Sequence, residues 1–133
     1  VSSPIGLSEE GAGALQRLKD RREVNTVILR HADTPRVLAV ELEGNLTHDE
    51  LLEALPPDEP RLIVHELSFA TREGMRRHER LLILWVPPAA DGQEEPYTLG
   101  FRDLKAFLTG VHVHHTAKAK EELAYRRLVA LTG

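Results

Sequence analysis

Residues 61–70 read Arg61-Leu62-Ile63-Val64-His65-Glu66-Leu67-Ser68-Phe69-Ala70, and residues 80–86 read Arg80-Leu81-Leu82-Ile83-Leu84-Trp85-Val86. Leu62 to Val64 and Leu81 to Trp85 are unbroken apolar runs. A strand with one face in water alternates apolar and polar residues, whereas a strand covered on both faces need not. These two stretches are therefore expected as core strands of a sheet flanked by helices. Between them, Thr71-Arg72-Glu73-Gly74-Met75-Arg76-Arg77-His78 is polar and contains a glycine. It predicts a long basic hairpin tip.

On the N-terminal side, Val24 to His31 contains the strand-like Thr26-Val27-Ile28-Leu29, and Val37 to Glu43 alternates loosely. Thr34-Pro35 signals a turn, so the two runs read as a hairpin. Thr47 and Glu50 have capping-box spacing. A short helix is expected after them, with Leu51, Leu52 and Leu55 on one side and Pro56-Pro57 as its stop. Ser8-Glu9-Glu10 reads as a cap and an acidic first turn of an opening helix. Leu7, Ala14, Leu15 and Leu18 form that helix's apolar side, which Gly11 and Gly13 weaken. On the C-terminal side, Tyr97, Phe101, Leu104 and Leu108 mark an amphipathic helix, with Arg102, Asp103 and Lys105 off the stripe and Gly110 after its end. Val111 to His115 alternates as a short strand. A last helix is expected from about Ala117, capped by Thr116, with Ala124, Leu128 and Leu131 as its stripe. The order α-β-β-α-β-β-α-β-α gives an α/β (α+β) class, a mixed five-stranded sheet flanked by helices in a single domain over residues 1–133.

The chain has 133 residues, 41% apolar and 29% charged, an ordinary globular balance. It has no cysteine, which excludes disulfides, thiolate metal sites and a thiol nucleophile. The net charge of −4 argues against nucleic acid as partner. No apolar run approaches the roughly 20 residues that span a bilayer, so no membrane partner is expected and the chain reads as a soluble intracellular domain. Catalytic motifs are missing: no nucleophile elbow surrounds Ser2, Ser3, Ser8 or Ser68, and Gly11-Ala12-Gly13 fails the dinucleotide fingerprint. On a strand, His112 and His114 would share a face, which would place two imidazoles near a metal. Spacing offers no third ligand, so surface histidines without metal or cofactor are the expectation. The competing hypothesis is a small enzyme using His112 and His114. Charge is segregated. Residues 37–60 hold acids and no Lys or Arg, while Gln16 to Arg30 and Thr71 to Arg80 are net basic. Two basic patches on an acidic chain suit an acidic protein partner.

These residues carry a family resemblance. Arg76-Arg77-His78-Glu79-Arg80, the strand Leu81 to Leu84, Trp85-Val86-Pro87, Tyr97 and the helix to Leu108 resemble the central signature of the actin-depolymerising-factor homology (cofilin) domain. Within that superfamily the chain is similar to glia maturation factor. Arg22-Glu23-Val24-Asn25, Glu41-Leu42-Glu43-Gly44, Asp49-Glu50-Leu51, Leu55-Pro56, Pro60-Arg61-Leu62-Ile63-Val64 and Glu121-Glu122-Leu123 with Arg126-Arg127-Leu128 follow that family in order and spacing. The resemblance implies a non-enzymatic, monomeric, cytoplasmic regulator of the actin cytoskeleton. It would bind the actin-related-protein branching complex, inhibit nucleation and dissociate branches. The alternative it leaves open is a divergent cofilin that binds actin monomers and filaments and severs or depolymerises them. It also implies the contacts: Ser2, Ser3, Arg102 and Lys105 in one surface, and Arg72, Arg76, Arg77, Arg126 and Arg127 in a second. Lys19, Arg21 and Arg22 follow the family's basic helix end. Two departures stand out. Gln93-Glu94-Glu95-Pro96 replaces the cofilins' Lys-x-Lys-Met. Ser3, near the serine whose phosphorylation silences cofilins, is followed by Pro4 rather than Gly.

Overall fold

The computed structural model describes residues 9–20, 24–33, 36–90, 92, 95–108, 111 and 113–132. In chain order these form helix α1 (Glu9–Asp20), strands β1 (Thr26–Asp33) and β2 (Arg36–Gly44), helix α2 (His48–Glu53), strands β3 (Arg61–Ala70) and β4 (Arg76–Trp85), helix α3 (Glu95–Phe107), strand β5 (Val113–Ala117) and helix α4 (Tyr125–Thr132). Short 3-10 turns at Pro88–Ala90 and Lys120–Leu123 lie before α3 and α4. Among the described residues the strands make one sheet in the order β2-β1-β3-β4-β5. β1–β2, β1–β3 and β3–β4 pair antiparallel and β4–β5 parallel, so the sheet is mixed and flanked by helices, as its sequence predicts.

The unbroken apolar runs are explained by two separate cores. Val27, Leu29, Leu62, Val64, Leu82 and Leu84 point to one face, where α1 and α3 cover them with Ala14, Leu15, Leu18, Phe101 and Leu104. Ile28, Ile63, Leu67, Leu81, Ile83 and Trp85 point to the other, beneath Leu51 and Leu55 around α2 and Leu123 and Leu128 around α4. Strand alternation sorts consecutive apolar residues between the two layers. α3 lies close to its face: a Cβ on Gly100 would stand 2.9 Å from Leu38 Cδ1 and 3.0 Å from Leu62 Cδ1. Thr47 caps α2 with the full capping box: Glu50 N–H donates to Thr47 Oγ1 (3.1 Å) and Thr47 N–H to Glu50 Oε1 (2.8 Å).

A bulge and an ion pair fix β2 to β3. The β1–β2 register shifts between Ile28 and Leu29, which pair with Leu42 and Val40 and leave Glu41 as the extra residue. A bulge re-aims the side chain it expels from the ladder. Glu41 takes two bonds from Arg61, Nε to Oε2 at 2.7 Å and Nη2 to Oε1 at 3.0 Å. Arg61 is buried, and its Nη1 also donates to the Pro60 carbonyl (2.7 Å) and lies 3.3 Å from Glu59. Trp85 Nε1 donates to the Pro56 carbonyl at 2.7 Å, tying the end of β4 to the loop that follows α2.

Two boundaries differ from the sequence expectation. The hairpin tip is short: β4 begins at Arg76, paired with Ala70, and the turn spans Thr71 to Met75. Gly74 at φ +82° permits the tight return, closed by Thr71 N–H to Met75 O (2.8 Å) and Gly74 N–H to Thr71 O (2.9 Å). Arg76, Arg77 and His78 are strand residues with exposed side chains, so hydrophobic patterning does not reveal them. The last helix also starts later. Thr116 and Ala117 pair with Leu84 and Trp85 in β5 rather than capping a helix. Ala124 is extended (φ −56°, ψ 140°), and α4 begins only at Tyr125. Leu128 is fully buried, whereas Leu131 is 45% exposed.

Leu104 is fully buried on α3, and Arg102 and Lys105 are exposed. Leu104→Ala should cost about 2–5 kcal/mol in urea unfolding. Arg102→Ala with Lys105→Ala should stay within about 0.5 kcal/mol of wild type. Equal losses would mean the helix is rotated from the orientation described.

Candidate partner-binding surfaces

α3 turns a mixed face outward. Arg102 is exposed and only 3.8 Å from Asp103, a loose pair that leaves its charge in solvent. Lys105 is also exposed, with its Nζ 4.5 Å from the centre of the Phe101 ring in a cation–π contact. Leu99, one turn before Arg102, is 43% exposed. An apolar side chain on the polar side of an amphipathic helix is the signal that identifies it, since it falls off the Tyr97–Leu108 stripe. Tyr97 is buried, and its hydroxyl accepts the His31 backbone N–H at 2.8 Å, so the tyrosine seats the start of α3 on β1. Beside it runs an open groove of about 700 Å³, lined by Leu84, Val86, Pro87 and Phe101 with Thr98 and Lys118 at its edge.

α4 is tied to the strand that leads into the basic hairpin. Tyr125, the first residue of α4, donates its hydroxyl to the Ser68 carbonyl on β3 (2.8 Å), next to the hairpin tip. Arg72, Arg76, Arg77, Arg126 and Arg127 are all exposed. Arg77 is held locally, 2.5 Å from Glu79 and with its guanidinium 5.8 Å from the centre of the Phe69 ring. Met75, at the tip between Arg72 and Arg76, is 67% exposed. α3 covers one face of the sheet and α4 the other.

Of the remaining sequence candidates, Ser2, Ser3, Arg21 and Arg22 lie outside the described residues. Lys19 falls within α1, with its side chain outside them. His112 also lies outside. His114 stands edge-on to Phe101 (6.5 Å between ring centres), and His115 Nε2 is 3.1 Å from the Glu122 carbonyl. Among the described residues no three His, Cys, Asp or Glu side chains converge as metal ligands.

Sequence reading did not single out His65, which is buried on β3. Its Nδ1 lies 2.9 Å from Thr26 Oγ1. Burial, and after it the neighbouring His48, push its pKa down to about 4, against a backbone bond to Asn25 that raises it.

With this geometry in place, comparison with known proteins assigns the family. The family model described as cofilin/tropomyosin-type actin-binding protein matches residues 4–130. The chain belongs to this family. Its members are non-enzymatic actin-binding proteins of the actin-depolymerising-factor/cofilin type. The chain is 25% identical over 126 residues to an actin-depolymerizing factor of Lilium longiflorum, spanning 92% of this chain and 91% of the relative. Among solved structures, Streptomyces griseoflavus cofilin superposes with a TM-score of 0.83 at 25% identity, covering 93% of each chain. Glia maturation factor from Caenorhabditis elegans superposes with a TM-score of 0.71 at 18% identity, covering 98% of this chain and 99% of its own. At that identity the likeness is one of fold alone.

His65 gives a pH prediction. The folded chain favours the neutral ring, while the unfolded chain takes a proton near pH 6.5. Its contribution is therefore full above pH 6.5 and declines as pH falls to about 4, a loss of about 3 kcal/mol. Urea titrations of wild type and His65→Asn, which keeps a polar group toward Thr26 but cannot titrate, should diverge across that window. Parallel curves would show that His65 is not shielded as described.

Proposed function

We propose that this chain binds actin directly through two surfaces: the outer face of α3, with Arg102, Lys105 and Leu99, and the hairpin tip with α4, presenting Arg72, Arg76, Arg77, Arg126 and Arg127. The observation that carries this reading is that α3 and α4 cover opposite faces of one sheet. A molecule built this way engages one actin subunit with α3 and a neighbouring subunit of a filament with α4. A monomer needs only the first surface. Cationic side chains around exposed Leu99 and Met75 suit an acidic partner with apolar clefts, with charge steering the encounter and apolar contact holding it. Ser2 and Ser3 extend the α3 surface in this proposal, and Lys19, Arg21 and Arg22 add positive charge at the end of α1. A phosphate on Ser3 would repel an acidic partner. The chain works as a cytoplasmic monomer beside filaments, without a cofactor. Its consequence there is severing or depolymerisation, in line with the names of the relatives it resembles over nearly their whole length.

The similarity to glia maturation factor implies instead the branching complex as partner and branch dissociation as outcome. Several residues that carry that similarity are engaged inside the fold. Glu41 holds Arg61, Glu43 accepts Arg17 Nη2 at 2.8 Å, and the Asn25 side chain bonds both ways with the Leu46 backbone. Such residues support the fold and are neutral as to partner.

Filament pelleting beside imaging of branched networks tests the reading. Wild type should pellet with unbranched filaments. Arg102→Ala with Lys105→Ala should weaken monomer and filament binding about tenfold or more. Arg126→Ala with Arg127→Ala should weaken filament binding and spare the monomer. Branch loss without pelleting would replace direct actin binding by debranching, and loss of both contacts from either pair would refute the two-surface arrangement.

A further inference from the structure

Met75 sits in the turn between β3 and β4 with 67% of its surface exposed. It is the only methionine of a chain that has no cysteine, so its thioether is the molecule's one sulfur atom. The other readily oxidised side chains are the single tryptophan and the two tyrosines. Trp85 and Tyr97 are buried in the two cores, at 2% and 6% exposure. Tyr125 is reachable, but its phenol donates to the Ser68 carbonyl at 2.8 Å, and a peroxide attacks a thioether in preference to a phenol. Composition and exposure together leave one target for a two-electron oxidant.

The turn lets this side chain change without the fold. Its backbone closes the hairpin: Thr71 N–H donates to the Met75 carbonyl (2.8 Å), Met75 N–H to Thr71 Oγ1 (3.2 Å) and Gly74 N–H to the Thr71 carbonyl (2.9 Å). None of these bonds uses the sulfur, and Met75 belongs to neither core. A sulfoxide formed in a core disrupts packing, whereas here it alters only what the turn presents to a partner. That alteration is large. Met75 is the one apolar side chain among residues 71–78, and the cations Arg72, Arg76 and Arg77 are exposed on either side of it in the chain. A thioether leaves water readily at an interface, and a sulfoxide does not.

We propose that Met75 is an oxidative modification site, a thioether displayed at the hairpin tip that a peroxide converts to the sulfoxide while the fold stays intact. In that step one peroxide oxygen bonds to the sulfur as the O–O bond breaks. The sulfur gives up two electrons, and the second oxygen takes up the proton of the first and leaves as water. The consequence rests on the function proposed above: an oxidised tip loses the apolar contact that its arginines flank, so filament binding falls while monomer binding through α3 remains.

Hydrogen peroxide, removed with catalase before any partner is added, tests both statements. Wild type should gain a single oxygen atom, located at Met75 by peptide mass spectrometry, at a rate within about tenfold of that of a short methionine peptide. The urea midpoint of the oxidised protein should not move. The oxidised protein should bind unbranched filaments about fivefold more weakly or worse, and the paired methionine sulfoxide reductases, one per epimer, should restore binding. Met75→Leu, apolar and not oxidisable, should pellet alike before and after peroxide. Slower oxidation than that, oxygen placed elsewhere, or a lowered urea midpoint would overturn the site. Unchanged pelleting of fully oxidised wild type, or an equal loss in peroxide-treated Met75→Leu, would overturn the consequence. No pelleting before treatment would refute the actin reading, and the mass and unfolding results would still decide the site.

Discussion

Leu62 and Ile63 are neighbours in the chain and lie in different cores. Each central strand feeds two hydrophobic layers at once, and every other feature of the molecule is arranged around that division. A slip of one residue in β3 would exchange the two sets of side chains, so the register must be held firmly. Arg61 with Glu41 holds it at the start of β3, and Trp85 with the Pro56 carbonyl holds it at the end of β4. The same division places α3 and α4 a sheet's thickness apart. That spacing separates the two candidate contact surfaces.

The parts legible in the sequence are those whose burial is one-sided or complete. β3 is found residue for residue because its apolar run is bounded by polar neighbours. The stripe of α3 is found because Tyr97, Phe101 and Leu104 recur on one side and are buried there. The capping box at Thr47 is a local bond pattern that needs no tertiary context. The misread parts are decided elsewhere. Nothing local says that Arg76 to His78 extend β4, since their pairing depends on Ser68 to Ala70 across the hairpin. Ala117 ends a strand rather than starting a helix because Trp85 lies beside it in the parallel ladder. Of the candidate contact residues, charge patterning found the hairpin arginines. Leu99 and Met75 are visible only once exposure is known.

Charge in this protein divides into a structural set and a solvent set. Arg61 is buried with two carboxylates nearby, and desolvation is offset there by four hydrogen bonds to Glu41, Glu59 and the Pro60 carbonyl. Arg17 and Glu43 join α1 to β2. These pairs use part of the acidic stretch between residues 37 and 60, which as a bare sequence looks like an unpaired acidic surface. Of the residues linking the chain to glia maturation factor, Arg126 and Arg127 belong to the solvent set, while Glu41, Glu43 and Arg61 belong to this structural set. Resemblance at those positions therefore reports how the domain is built, while the partner is read from the exposed cations of α3, the hairpin and α4.

β5 reaches its place in the sheet by no turn, just as β3 joins β1 only across β2 and α2. β3 and β4 close through five residues around Gly74, but Val113 meets Leu81 only after the chain has crossed the whole of α3 and its loops. Closing so long a span gives up chain entropy before any contact compensates it, and topologies rich in such contacts assemble slowly. Ala117, Leu123 and Leu128 follow in the same layer, so the bed for α4 depends on that closure. In the order of assembly this puts the α4 surface late: a partial fold with both hairpins formed carries the tip arginines already, and gains Arg126 and Arg127 only when the edge strand has docked.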